Sequence, residues 1–354
     1  MSCDPNYVDA SWSFYRYKPS IAAPVFFVIL FTSTTALHLL QMTKTKTWYL
    51  IPFSIGGFCE IVGYIGRAIN ANENAGCWTL GPYVIQTLLL LIAPAFMAAS
   101  IYMILGRIIL LTDGEIHAML KRRWLTKTFV FGDVLSLFLQ AAGGSLLGGA
   151  DEHNSLMKTG EHVIIAGLFV QLFFFGMFIV VAGLFHRRML LAPTATSHNP
   201  LIRWQKYLVT LYIVSVLIWV RSVFRVIEYL QGNAGSIMRH EAYVFIFDAT
   251  LMFLVMAWMN WFHPSEIGLL LRHEEPISNG HLKRHLHGFR GFENRAALSA
   301  LEKHLLGLSL VNLLEENVVF LILIGLHCRK FRCTTASNVG IAYILLHHLP
   351  GSRK

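Results

Sequence analysis

The chain has 354 residues, 55% of them hydrophobic and only 14% charged, with a formal net charge of +9 and a mean hydropathy of +0.53. Soluble domains carry nearer about 25% charged residues, so a soluble two-domain protein is excluded. The positive excess reads as loop charge of a membrane protein, because no basic stripe interleaved with exposed aromatics marks a nucleic-acid surface.

The first twenty residues are polar, with Asp4 and Asp9 ahead of a full-length apolar run, so no cleavable signal peptide is expected. Seven apolar segments follow, at 21–40, 49–69, 83–111, 128–148, 162–185, 207–230 and 242–262. Each is about 20 residues or more, enough for a 30 Å hydrocarbon core. Lipid leaves backbone polar groups no outside partner, so spans of this kind are helices. The fold class is an all-α membrane protein, a seven-transmembrane helix bundle.

Basic residues orient it. Loop one holds Lys44 and Lys46. Loop three holds Lys121, Arg122, Arg123 and Lys127. Loop five holds Arg187, Arg188, Arg203 and Lys206. The alternate loops hold only Lys158 and Arg239. The expected topology is N-terminus outside and C-terminus cytoplasmic, with Arg16 and Lys18 as mild exceptions. The expected organisation is an extracellular tail at 1–20, a membrane domain at 21–264 and a cytoplasmic, largely disordered tail at 265–354. The five cysteines (Cys3, Cys59, Cys77, Cys328, Cys333) form neither a disulfide framework nor a zinc pattern. Cys3 and Cys77 would share the outer side, which leaves a bridge between them open.

Pro94 interrupts the third span and should kink it. In the fourth span, Gly144 and Gly148 make a small-xxx-small pair suited to helix packing. Asp133, Ser136 and Gln140 share a face there; Asp133 reads as a shallow first-turn acid favoured by the helix dipole. Gln86 and Gln171 read as interhelical hydrogen-bonding residues. Asn260, His263 and Pro264 mark the exit of the seventh span. His38 and His263 read as interface histidines. The tail pair His281 and His285 is a weak metal motif.

The charged residues inside the spans are harder to place in lipid. Glu60, Tyr64 and Arg67 stand at i, i+4, i+7 in the second span, and Arg221, Arg225 and Glu228 repeat that spacing in the sixth. Asp248 enters from the seventh at similar depth. These faces are expected to meet in the outer half of the membrane. Two readings stand: an ion-pair lattice that fastens the helices, or a substrate-binding site for a charged or amphipathic head group. Arg67 and Arg225 also have the length to snorkel to the interface. No P-loop, HExxH or GxSxG occurs, so no catalytic residue, metal or cofactor is expected.

Taken in order, YRYKPS, EIVGYIGR, QTLLLLIAPAFMAASIYMILGR, FGDVLSLFLQAAGG, GLFVQ, RSVFRVIE and FDATLMFLVMAWMNWFHP resemble the fungal RTA-like lipid-translocating exporter family. That family includes the sphingoid long-chain-base and 7-aminocholesterol resistance proteins. Its motif positions fall here on Glu60, Tyr64, Arg67, Gln86, Pro94, Tyr102, Arg107, Asp133, Gln140, Arg221, Arg225, Glu228, Asp248, Asn260, His263 and Pro264. The resemblance implies seven helices, an outward N-terminus, and residence in the plasma membrane or an internal membrane. It also implies export or flipping of amphipathic lipids and a role in stress and drug resistance.

The expected function is therefore a lipid translocator, with membrane lipids and an amphipathic lipid substrate as partners and no nucleic acid. The alternative is a seven-helix lipid receptor or sensor with a cytoplasmic signalling partner. A third class, an intramembrane metal hydrolase, needs clustered ligands, whereas His38, His162 and His263 lie scattered at helix ends.

Overall fold

A computed structural model describes residues 6–10, 13–148, 155–198, 202–233 and 235–271. Seven helices in it are long and apolar enough to cross a bilayer. They are α1 (Ala22–Thr45), α2 (Ile51–Asn72), α3 (Leu80–Leu111), α4 (Arg122–Gly148), α5 (Ser155–Leu191), α6 (Trp204–Gln231) and α7 (Glu241–Trp261). A short helix, α8 (Ser265–Leu271), follows the exit Pro264. The protein is an all-α bundle, as the apolar segments require. Of the tail expected at 265–354, residues 265–271 form this helix, and the rest, with His281 and His285, lies outside the described residues.

Helix ends follow local chemistry. Pro52 sits in the first turn of α2, where its missing N–H costs nothing. Gly232 ends α6 at φ 69°, a left-handed conformation that glycine adopts without strain. Helix α3 runs through Pro94 without a break in its assignment. Inside α7, residues Phe245–Ala249 form a π-helical turn. Such turns rotate the side chains that follow and recur at functional positions.

Glycines set the closest contacts. Helix α2 packs on α3 along Gly56, Gly63 and Gly66. A Cβ on Gly56 would stand 2.8 Å from the Ala93 carbonyl, and one on Gly66 2.9 Å from the Pro82 carbonyl. That stripe turns the Glu60–Tyr64–Arg67 face of α2 away from α3, towards α1 and α7. Between α4 and α5 the close approach falls on Gly143, whose Cβ would meet the Gly160 carbonyl at 2.7 Å. Gly144 faces open space. The packing glycine is therefore one position earlier than the Gly144–Gly148 pair suggested.

Large apolar side chains face outward, among them Phe26, Ile29, Trp124, Phe131 and Phe138. In water this would be a liability; against lipid tails it is the expected surface.

Candidate functional site

Helices α6 and α7 meet through charge. Arg221 Nε stands 2.5 Å from Asp248 Oδ1, and Arg225 Nη2 stands 3.6 Å from Asp248 Oδ2. Both are charge contacts, because neither Asp248 oxygen receives an aligned N–H. Arg225 Nη1 donates to Glu228 Oε2 at 2.6 Å. Arg221 Nη2 donates to the Leu90 carbonyl of α3. Asp248 lies in the π-turn of α7 and is 1% exposed, as Arg221 is 2% exposed. An unpaired charge at this depth costs at least about 2.5–3.5 kcal/mol, so such pairing is required simply to hold the bundle together.

Glu60 is different. It is 1% exposed and within electrostatic reach of Asp248, Arg221 and Arg225. Yet its Oε1 has no hydrogen-bond partner, and it forms no salt bridge among the described residues. One turn along, the Tyr64 hydroxyl is fully buried and also without a partner. The Tyr64 ring is held by stacking, with centroids 5.6 Å from Phe31, 5.7 Å from Phe27 and 6.2 Å from Phe245.

Arg67 sits a further turn along, in a second layer. Its Nη2 lies 3.1 Å from Glu241 Oε1 at the start of α7 and also donates to the Tyr17 hydroxyl. The guanidinium packs over the rings of Phe245 and Tyr15, at 5.1 and 5.5 Å from their centroids. Tyr15 and Tyr17 belong to residues 13–20, which fold back across this end of the bundle as a strap. Tyr15 Oη donates to Gln86 Oε1 at 2.8 Å and accepts from Asn70 Nδ2 at 3.3 Å. Arg16 donates to the carbonyls of Val8, Ala10 and Asn233. The Ser20 N–H donates to Glu241 Oε2 at 3.0 Å. Burial pushes the Tyr15 and Tyr17 phenols up despite the nearby Arg67 charge, which keeps them neutral donors.

All seven expected residues therefore share one neighbourhood, joined by Glu241. Three arginines (Arg67, Arg221, Arg225) face four carboxyls (Glu60, Glu228, Asp248, Glu241). Each arginine has a carboxylate, and Glu60 is the surplus acid. Neither Arg67 nor Arg225 snorkels: their side chains are 3% and 9% exposed.

A separate polar centre lies between α3, α4 and α5. Tyr102 Oη donates to Asp133 Oδ2 at 2.9 Å, and Gln140 Nε2 donates to Gln171 Oε1 at 3.1 Å. Asp133 is not the first-turn acid expected. Helix α4 begins at Arg122, so Asp133 stands about 16 Å along it. Gln140 and Gln171 join helices as expected, whereas Gln86 serves the strap. Among the described residues no group of three or more His, Cys, Asp or Glu could hold a metal ion. Cys77 is disulfide-bonded, and Cys59 is free. Cys3 lies outside the described residues.

The sequence matches the family described as RTA1 like protein over residues 53–269, which contains every residue of the charged cluster. The chain belongs to the RTA1-like family. It is 36% identical to protoporphyrin uptake protein 1 of Saccharomyces cerevisiae over 287 residues, covering 70% of this chain and 91% of that protein. It is 35% identical to protein RTA1 of the same yeast, covering 74% and 88%. Identity to the sphingoid long-chain base transporter RSB1 is 25% over 295 residues, covering 75% and 76%. No solved structure matches the chain.

Two components of this RTA1-like site escape sequence reasoning. Glu241 sits in what reads as a loop, at the very start of α7. The strap reads as an ordinary polar tail. Its signals are the YRYKPS motif, which carries the resemblance but gives no contact, and the pair Arg16 and Lys18 on the wrong side of the charge rule. Arg16 is there because three carbonyls need a donor, so it carries no information about orientation.

Proposed function

We propose that this RTA1-like protein moves amphipathic lipids across the membrane, with Glu60, Tyr64, Arg67, Arg221, Arg225, Glu228 and Asp248 forming the site for the head group. The supporting observation is the surplus acid. A structural lattice needs each charge matched: Arg221 already fastens α6 to α7 through Asp248 and to α3 through the Leu90 carbonyl, and Arg225 is matched within α6 by Glu228. Glu60 and the Tyr64 hydroxyl add nothing to that fastening. A buried carboxylate and a buried hydroxyl without hydrogen-bond partners in the protein suit a ligand that brings its own donors, such as the ammonium and hydroxyls of a sphingoid base. The alkyl chain would lie among the apolar helix faces.

In this reading the N-terminus is outside, as the loop charges indicate, and the protein works in the plasma membrane. The strap then covers the outer mouth of the site. Names among the relatives describe both uptake and transport, so the reading concerns translocation, with export as the physiological direction and resistance to toxic lipids as its consequence.

The test is a flip assay with a fluorescent sphingoid base in proteoliposomes. Wild-type protein should speed inter-leaflet movement over protein-free vesicles, and Glu60→Gln should remove that gain while the protein still folds. Equal rates with and without protein would overturn the proposal.

A further inference from the structure

The orphaned polar atoms do not stop at Glu60. Thr35 Oγ1, Ser54 Oγ, His38 Nε2, Asn260 Oδ1 and both ring nitrogens of His263 are also buried without a hydrogen-bond partner. They share one interface, between α1, α2 and α7. Thr35, Ser54 and His38 are each more than nine-tenths buried. Native proteins leave few such groups, and several along one seam call for ordered water.

On α2, Ser54, Gly57 and Glu60 recur on one face. At Gly57 the three helices are in close contact, which brings Thr35 against α2 between Ser54 and Glu60. A Cβ there would abut Thr35 Oγ1 of α1 and come within 2.7 Å of Met256 Cε of α7. Below Thr35, the His38 ring lies 4.7 Å from the Phe53 ring and 6.0 Å from the His263 ring. His38 is held by a hydrogen bond to the Met256 backbone. His263 lies past the last residue of α7, at the end of the bundle opposite the strap. Asn260 flanks it, with Nδ2 donating to the Thr34 carbonyl at 3.1 Å.

We propose that this α1–α2–α7 seam is a hydrogen-bonded proton path, completed by ordered water at its orphaned groups, linking the cytoplasmic end of the bundle, at His263 and His38, to Glu60. The inference rests on the proposed lipid site and adds how it is driven. Glu60 holds either a proton or a cationic head group. When a head group arrives, the Glu60 O–H bond breaks, the proton leaves through Ser54, Thr35 and His38, and the carboxylate pairs with the ammonium. When the head group departs, a proton returns and the O–H bond re-forms. One monovalent cation is exchanged for one proton, and the charge of the cluster is unchanged. The charged groups facing Glu60 are Asp248, Arg221 and Arg225. Facing His38 the only charged or titratable group among the described residues is His263, and α2 presents Phe53 and Ser54 there.

Two measurements test it. Hydroxyl-radical footprinting of the purified full chain reads buried water without any transport. Met256 and Met97 are both fully buried, but only Met256 borders the seam, Met97 lying against Gly56 towards α3. Met256 should be oxidised several-fold faster than Met97; equal rates would overturn the water path. In proteoliposomes, a transmembrane pH gradient should accelerate movement of the fluorescent sphingoid base by wild type. His38→Phe, and the milder Ser54→Ala, should abolish that acceleration and also slow gradient-free movement, because each exchange sheds a proton along the same path. Full acceleration in both variants would overturn the proton path. Absence of any base movement in wild type would instead overturn the lipid reading, leaving the footprinting result to decide the seam.

Discussion

Asp248→Leu is the most informative stability change in this protein. Asp248 is the carboxylate nearest Arg221, at 2.5 Å, and a second partner for Arg225, at 3.6 Å. Removing it leaves Arg225 with Glu228 at 2.6 Å, but leaves Arg221 with the Leu90 carbonyl and only Glu60, at electrostatic range without a salt bridge, as counter-charge. Stranding one buried charge costs about 3–5 kcal/mol in soluble proteins, and about 2.5–3.5 kcal/mol on the lenient membrane scale. A loss of about 3 kcal/mol is therefore expected. The partner change, Arg221→Met, should cost less, because Asp248 keeps Arg225; about 1–3 kcal/mol is the scale for losing one charged contact. The double variant removes the stranded charge and should be more stable than Asp248→Leu alone. Reversible unfolding of the purified protein in mixed micelles, with increasing denaturing detergent, measures all three. Additive losses in the double variant would refute the pairing argument.

Other substitutions separate function from structure. Tyr64→Phe deletes a buried hydroxyl that makes no hydrogen bond in the protein, so stability should hold or rise by up to about 1 kcal/mol while lipid movement falls; a stability loss in the same detergent titration would count against the site. Gly143→Ala forces a Cβ to 2.7 Å from the Gly160 carbonyl and 2.8 Å from the Ile164 nitrogen, both backbone. Overpacking of this kind costs about 1–3 kcal/mol, whereas Gly144→Ala, facing open space, should be neutral or better; thermal unfolding compares the two. Tyr15→Phe removes the bonds to Gln86 and Asn70. It should loosen the strap by about 1–2 kcal/mol, read as faster protease cleavage within residues 13–20 with no change in the unfolding midpoint of the bundle.

The spans were legible because lipid imposes a crude rule: twenty apolar residues and a helix. The charged faces were legible because helical spacing places Glu60, Tyr64 and Arg67 together whatever surrounds them. What the pattern could not carry was partnership. Nothing in the sequence says that Arg225 pairs within its own helix while Arg221 reaches across to α7. Asp133 falls beyond the first turn because α4 starts at Arg122, six residues before its apolar run. The Gly143 contact was missed by one position, since small-residue spacing does not say which glycine meets a backbone. His38 and His263 are 225 positions apart in the chain, and only the fold brings their rings within 6.0 Å.

The central claim is that a surplus buried carboxylate recognises a cationic lipid head group. Paired proteoliposome assays with a fluorescent sphingoid base and its N-acetylated, uncharged counterpart test it most directly. Protein-dependent movement of the free amine, little of the amide, and loss of this preference in Glu60→Gln are expected. Equal movement of both lipids by wild-type protein would contradict it.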